Sequence, residues 1–183
     1  ISQIVPFFVG VKWEELGDSG KQWPVKEDGS DTEILHLDAF QRGKGKFHYF
    51  DWKESEETVK NWKEYPYIIT TNRELEHYNA GTMTRRTGNV KILTEDVLLI
   101  NSIDAQKNLI KDGDMVCVES PRGKVDIKAR ITDEVKPGIM STTFHFPEVM
   151  LNLITSDEHD SEALCPEYKI VAVNIRKSKG QYK

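Results

Sequence analysis

Short runs of apolar and β-branched residues, separated by turn-forming residues, dominate the chain from residue 67 onward. Six such runs lie at 68–71, 97–101, 115–120, 125–132, 139–143 and 169–176. Their lengths and their content of Val and Ile are typical of β-strands. A succession of six short strands predicts a closed β-barrel. Between two of these runs, Pro121-Arg122-Gly123-Lys124 predicts a tight hairpin.

Helical patterns are short and few. Ser55 is predicted to cap a short helix near 55–63, because acidic residues follow it directly and suit the positive end of a helix dipole. Ser102 is predicted to cap a second short helix, which Gly113 is expected to end. The fold class predicted from the pattern is therefore mainly β with short helices.

The first 64 residues differ from the rest of the chain in composition and in hydrophobic pattern. Glycine-rich and charged loops predominate there, and helical or strand periodicity is weak. All four tryptophans fall in this part, at Trp13, Trp23, Trp52 and Trp62. We expect an irregular N-terminal arm over 1–64, followed by the barrel over 65–183.

Charge and cysteine content exclude several classes of function. The 183 residues include 25 basic and 30 acidic side chains, which gives a net charge of −5. An acidic protein lacks the long-range field that draws polyanions, so nucleic acid is not an expected partner. Cys117 and Cys165 form no metal-binding motif, and we expect both thiols to be buried and inert. The longest apolar run, 4–11, is too short to span a bilayer, so direct membrane insertion is not expected.

The most informative segment is RELEHYNAGTMTRRT at 73–87, which directly follows the first predicted strand. Arg73, Arg85 and Arg86 offer planar guanidinium groups suited to phosphate or carboxylate. Neutral hydrogen-bonding groups come from Asn79, Thr82, Thr84 and Thr87. Gly81 is expected to let the backbone approach a ligand. The alternative is a solvated polar loop in which the charges of Arg73, Glu74 and Glu76 cancel.

A second cluster, FHFPE at 144–148, follows the fifth predicted strand, and Asn152 and the PEYK run at 166–169 come after it. Strand-end aromatic rings with His and Asn nearby can form a ring-stacking, hydrogen-bonding wall. From the residues alone, a barrel cap of packed aromatic side chains is the favoured reading of this cluster.

The ordered segments RELEHYNAGTMTRRT, NSIDAQKNLIKDGDMV, SPRGKV, FHFPEVMLNLIT and CPEYKIVAV together resemble the C-terminal domain of molybdopterin-dependent oxidoreductases of the dimethyl-sulfoxide-reductase superfamily. The resemblance covers 65–176, and 22–47 resembles the segment that precedes this domain. The FHF and PEYK runs resemble formate dehydrogenase catalytic subunits more than nitrate reductases.

This resemblance implies a six-stranded double-psi β-barrel that helps to hold bis(molybdopterin guanine dinucleotide) with molybdenum or tungsten. It implies that Arg73 faces pyrophosphate or a guanine acceptor, Glu74 a guanine or ribose donor, and His77 a phosphate or pterin edge. By position, the implied cofactor-binding residues are Arg73, Glu74, His77, Tyr78, Asn79, Thr82, Thr84, Arg85, Phe144, Asn152, Tyr168 and Lys169.

The resemblance also implies what lies outside the chain. We expect the metal ligand, an iron–sulfur cluster and the proton-transfer residues in an upstream part of a longer catalytic subunit, so that this fragment alone has no catalytic residue and no turnover. The implied reaction is formate oxidation to CO2. The expected partners are the rest of the catalytic subunit and an electron-transfer subunit. The expected compartment is the cytoplasm, or the periplasm if a signal lies outside this chain.

Alternatives stay open at the level of sequence. Within the superfamily they are a nitrate reductase and a separate subunit of the formylmethanofuran dehydrogenase type. Outside it they are a non-catalytic double-psi-barrel binding module and a pyruvoyl decarboxylase. The last requires self-cleavage before a serine, and the single Gly-Ser pair, Gly29-Ser30, falls in a charged loop that makes it a poor candidate.

Overall fold

The structure is a computed structural model that describes residues 1–40, 43–161 and 164–178. The chain divides into two compact units, Ile1–Asp51 and a second unit that begins at Trp52. The first unit contains two short 3-10 helices, Pro6–Phe8 and Trp13–Glu15, and buries the side chain of Val25. No helix in the described ranges is long and apolar enough to cross a membrane.

The described part of the second unit is a closed barrel of six strands with two short α-helices and three 3-10 helices, at Thr84–Arg86, Gly88–Lys91 and Leu151–Leu153. The α-helices are α1 (Glu56–Asn61) and α2 (Ser102–Lys107). The strands are β1 (Tyr67–Thr71), β2 (Val97–Ile100), β3 (Met115–Ser120), β4 (Gly123–Ile131), β5 (Ile139–Thr142) and β6 (Val171–Lys177). Because α1 packs against β6, it belongs to the barrel unit. The predicted boundary between residues 64 and 65 stays a prediction.

Strand pairing closes the barrel in the order β1-β5-β2-β4-β3-β6. The pairs β1–β5 and β2–β4 are parallel, and the other four pairs are antiparallel. The predicted fold class, a mainly β chain with a six-stranded double-psi barrel, is confirmed. The hairpin predicted at 121–124 is also present, with Ser120 paired to Gly123 across a two-residue loop.

Alternation along the strands builds one apolar core. In β4 every second residue, at Val125, Ile127 and Ala129, is buried while its neighbours face outward. Leu98 and Ile100 of β2 contribute fully buried side chains to the same core. This period of two fixes which face of each strand points inward.

The structure places one of the two predicted helix caps at the predicted residue. Ser55 occupies the N-cap position of α1, but its hydroxyl donates to the carboxylate of Glu167 and forms no capping hydrogen bond with the helix. For α2 the cap is Asn101, whose side-chain oxygen accepts from the amide of Ile103 at 3.0 Å, whereas Ser102 is the first helical residue. The predicted stop at Gly113 is also wrong, since α2 ends at Lys107 and Gly113 lies in the turn before β3.

Strand direction brings three chain segments to one end of the barrel. Thr71 and Thr142 are paired at the ends of the parallel strands β1 and β5. Strand β6 runs antiparallel to β1, with Ile69 paired to Val171, so β6 begins where β1 ends. The segments that leave β1 and β5 and the segment that enters β6 therefore share this end. We call them the rim loop (residues 72–87), the β5 extension (143–149) and the β6 entry (164–170).

Candidate functional site

The rim loop is tied to both neighbouring segments at its base. The amide of Asn72 donates to the carbonyl of Thr142 at 2.8 Å, and its side chain bonds to the hydroxyl of Ser141. On the other side, the Thr71 hydroxyl donates to the carbonyl of Tyr168 at 3.1 Å, and the Lys169 ammonium donates to the carbonyl of Thr71. The three segments are thus joined by hydrogen bonds at the strand ends.

His77 lies inside the rim loop, not on its ligand-accessible surface. Its ring is 2% exposed, and Nε2 lies 2.8 Å from the carbonyl oxygen of Leu93. Since a carbonyl only accepts, Nε2 donates its hydrogen to Leu93, and Nδ1 forms a hydrogen bond with the Thr84 hydroxyl at 2.9 Å. Both nitrogens are therefore used within the protein, and the predicted contact of His77 with a phosphate or pterin edge stays a prediction.

The β5 extension carries a second buried histidine that the site residues chosen from the sequence omit. His145 is 0% exposed, its Nε2 lies 3.0 Å from the amide nitrogen of Glu74, and its Nδ1 contacts the carbonyl of Asn79. The FHF run contains this residue, but nothing in the run indicates that its ring points at the rim loop.

Asp96, at the entrance to β2, fixes the course of the β5 extension. Its carboxylate is 2% exposed and accepts from the amides of Phe146 at 2.9 Å and His145 at 3.3 Å, and from the Thr143 hydroxyl. A buried carboxylate satisfied by several donors holds its partners in a defined geometry. The sequence gives no local sign of this role, because Asp96 lies 47 or more positions before its partners.

The charge of Arg85 is neutralised within the site. Its guanidinium forms an ion pair with Glu148 and lies 4.8 Å from the centre of the Phe146 ring. The pKa of Glu148 lies below its usual range because its own backbone amide and then Arg85 favour the carboxylate. Glu148 is therefore ionised at neutral pH, and Arg85 has less free charge to offer a ligand.

Arg73 has a different environment. Arg73 is exposed, and its guanidinium lies over the Phe144 ring, 6.0 Å from the ring centre. Among the residues that the structure describes, Arg73 has no acidic partner. Its positive charge is free to meet an anion, with the flat ring of Phe144 beside it.

The remaining predicted site residues lie at different depths. Glu74, Asn79 and Thr82 are exposed on the rim loop, whereas Thr84 is half-buried and bonded to His77. Tyr78 adopts a left-handed backbone with φ 61° and leaves its ring exposed. Tyr168 and Lys169 reach the rim from the β6 entry.

Asn152 is exposed and lies on a different chain segment from that group. It sits in the 3-10 turn Leu151–Leu153, which packs on the β3–β4 hairpin at Gly123, and its own carbonyl accepts from Thr155. Within the described ranges its side chain forms no hydrogen bond with the rim loop.

The structure gives a packing reason for glycine at position 81. A Cβ atom there would lie 2.8 Å from the carbonyl oxygen of His145, and the φ of Gly81 is +67°. Glycine is therefore needed for the rim loop to pack on the β5 extension, and the approach of a ligand to Gly81 stays a prediction. Cys117 is buried, and burial raises the pKa of its thiol, whereas Cys165 is exposed, contrary to the prediction. The described residues contain no cluster of His, Cys, Asp and Glu that could hold a metal.

Residues 67–172 match the family described as "Molydopterin dinucleotide binding domain". The match begins at β1 and ends at the second residue of β6, so it spans the first five strands and the three rim segments. The chain belongs to this family.

The chain is similar to longer proteins. The chain is 39% identical over 97% of its length to the F420-dependent formate dehydrogenase 2 subunit alpha of Methanococcus maripaludis and covers 26% of that protein. It is also 39% identical over 97% of its length to the F420-dependent formate dehydrogenase subunit alpha of Methanocaldococcus jannaschii and covers 27% of it. The chain thus spans about a quarter of the length of these relatives.

A solved structure agrees in fold. Acetylene hydratase from Pelobacter acetylenicus matches with a TM-score of 0.57 at 15% identity, over 93% of this chain and 28% of that one. The shared architecture supports the barrel assignment and, at this identity, no more than that.

The donor set at the rim fits a pterin dinucleotide. A pyrophosphate requires strong cationic donors, which the exposed Arg73 can supply. The N–H groups of a guanine donate hydrogen bonds that a carboxylate such as that of Glu74 can accept. The aromatic faces of Tyr78 and Phe144 lie in the same region and suit a flat heterocycle.

Proposed function

We propose that this chain is the C-terminal cofactor-binding domain of a formate dehydrogenase catalytic subunit that holds bis(molybdopterin guanine dinucleotide) with molybdenum or tungsten. The observation that carries the proposal is the 39% identity over 97% of the chain to alpha subunits of F420-dependent formate dehydrogenases. The exposed arginine and carboxylate at the rim are consistent with it.

Within this proposal the rim residues bind and orient the cofactor. Arg73 holds pyrophosphate or a guanine acceptor, and Glu74 accepts from a guanine or ribose donor. Tyr78, Asn79 and Thr82 complete the contacts of the rim loop, and Tyr168 and Lys169 approach from the β6 entry. His77 and Thr84 act through the shape of the loop, because their mutual bond uses the polar atoms that would face a ligand.

When bound, the metal–pterin group supplies the two-electron redox chemistry of the enzyme. Formate would leave as CO2 and a proton, with two electrons passing to the acceptor. We place the metal ligand, the iron–sulfur cluster and the proton-transfer residues in the part of the subunit outside this chain. An electron-transfer subunit that passes electrons to F420 is the proposed partner, and cytoplasmic location stays a prediction.

The exposed apolar side chains of the rim support attachment to a larger body. Leu75 is 97% exposed, Met83 79% and Tyr78 74%. Large apolar side chains that stay exposed together mark a surface that another molecule or domain covers. In the proposed enzyme, the cofactor and the rest of the catalytic subunit cover them.

The experiment that tests the proposal uses the full-length polypeptide that carries this chain, purified with its copurifying subunits. We expect formate-dependent reduction of F420, equimolar release of CO2, and bound molybdenum or tungsten. Nitrate reduction by the same preparation, without any turnover of formate, would contradict the formate assignment and leave the cofactor assignment intact.

A further inference from the structure

We propose that His145 is a positioning residue that holds the first half of the rim loop, 73–81, in its binding shape before the cofactor arrives. The inference rests on the proposed function, because it assumes that this loop holds the cofactor. His145 itself is fully buried and does not reach the exposed surface of the rim. It therefore acts through the loop and not as a ligand of the cofactor.

The hydrogen bonds of His145 require one protonation state of the ring. The amide of Glu74 can only donate, so Nε2 must accept from it, at 3.0 Å. The carbonyl of Asn79 can only accept, so Nδ1 must carry the hydrogen that is donated to it. The neutral Nδ1–H tautomer alone satisfies both bonds. One imidazole thus links two backbone groups of the rim loop to the β5 extension.

His145 is itself held from behind. Asp96 accepts from the backbone amides of His145 and Phe146, and Thr143 donates its hydroxyl to the same carboxylate. These bonds fix the backbone on both sides of the imidazole. Because its backbone is fixed, the imidazole keeps its position, and its two hydrogen bonds hold the rim loop against it.

The consequence for the binding groups is direct. The backbone amide of Glu74 donates to His145, so this bond fixes the residue whose carboxylate is proposed to bind the cofactor. Arg73 is the preceding residue in the chain. Tyr78 has φ 61°, a conformation that is unfavourable for a residue with a side chain and persists only when the surrounding structure imposes it. The bond from His145 to the carbonyl of Asn79, the next residue, supplies that constraint.

Three substitutions separate a positioning role from simple packing. His145→Phe keeps an aromatic ring of similar size and removes both hydrogen bonds. His145→Gln places an amide oxygen at about the reach of Nε2, where it can accept from Glu74. His145→Asn places an amide N–H at about the reach of Nδ1, where it can donate to Asn79. If His145 only fills space, His145→Phe should disturb the rim loop least. If His145 positions the loop through its hydrogen bonds, His145→Gln and His145→Asn should disturb the loop less than His145→Phe.

The first measurement is hydrogen–deuterium exchange of the cofactor-free, full-length polypeptide, followed by mass spectrometry of peptides from 73–81. In His145→Phe we expect exchange about tenfold faster or more, since a buried backbone group loses its partner. The exchange rate of the same peptides in His145→Gln should lie between the rates in His145→Phe and in the wild type. His48→Phe, at an exposed histidine of the first unit, is the matched control and should leave these peptides unchanged.

Unchanged exchange in His145→Phe, or slower exchange than in both amide variants, overturns the proposal. The second readout is the pterin dinucleotide content of protein produced in cells that make the cofactor. We expect a loss in His145→Phe and partial recovery in His145→Gln. Faster exchange with wild-type cofactor content would overturn the positioning role. If the wild-type protein contains no pterin, the proposed function is contradicted. The exchange comparison is made on cofactor-free protein, so its result is separate from that outcome.

Discussion

The arginines of the rim loop differ in how their charge is balanced. Arg85 is paired with Glu148, which lies 63 positions further along the chain. Arg73 has an aromatic ring beside it and no acidic partner in the described residues. An anionic ligand gains most from the cation that has no competing carboxylate, so we assign the larger share of binding to Arg73.

This difference predicts that Arg73→Ala lowers pterin dinucleotide occupancy, whereas Arg130→Ala does not. Arg130 is an exposed arginine on the outside of β4, which makes it a matched control for charge. Loss of a charge-assisted contact of about 1.5–3 kcal/mol corresponds to an affinity roughly tenfold to a hundredfold lower. Metal and pterin content of the purified full-length variants measures the effect. Full metal content with normal turnover in Arg73→Ala would argue against its role.

At the same scale, the sequence predicted which residue types gather at the rim but not where each side chain points. His77 and Thr84 are bonded to each other inside the loop, and Gly81 faces the carbonyl of His145. These directions depend on contacts across the barrel end. The bond from Glu74 to His145 joins residues 71 positions apart, which no local pattern reveals.

Among the elements, α1 is joined to the barrel by one buried carboxylate. Glu57 is 2% exposed and accepts from two nitrogens of Arg122, at 2.6 and 3.0 Å, and from the amide of Ala172 at 3.0 Å. Arg122 also donates to the carbonyl of Ile154. The helix, the β3–β4 hairpin, the start of β6 and the segment after Asn152 therefore meet at this ion pair.

We predict that breaking this pair on one side destabilises the barrel strongly. Arg122→Leu leaves the buried carboxylate of Glu57 without its ion-pair partner, at a cost of about 3–5 kcal/mol. Glu57→Gln leaves the half-buried Arg122 unpaired and should cost less. The double variant should cost less than the two single variants added together. Urea unfolding measures all three, with Glu56→Gln as an exposed control on the same helix. Additive losses in the double variant would show that the two residues act independently.

Element positions were predicted well from the sequence, because period-two burial is a local property. The six predicted strands lie within a few residues of the observed ones, and β3 has the predicted bounds. Local patterns predict no pairing between strands, so the parallel pairs β1–β5 and β2–β4 are known only from the structure. The cap of α2 is Asn101 and not Ser102, and the hydroxyls of Ser55 and Ser102 both donate to distant carboxylates, those of Glu167 and Asp133.

At the scale of the whole molecule, we propose that the barrel is one part of a larger enzyme. The chain covers about a quarter of the length of the formate dehydrogenase alpha subunits that it resembles. Its described residues hold no metal-binding cluster, and its exposed rim carries Leu75, Tyr78 and Met83. We infer that the barrel contributes cofactor binding and orientation, while redox catalysis requires the remaining domains.

The most direct test of this account is the pterin and nucleotide content of the full-length polypeptide that carries this chain. Acid treatment and oxidation of the purified protein release the pterin and the nucleotide for chromatography. The account predicts pterin and GMP in equal amounts, each in about twofold excess over molybdenum or tungsten. Purified metal-containing protein that releases neither pterin nor GMP would contradict the claim that this barrel holds a molybdopterin guanine dinucleotide.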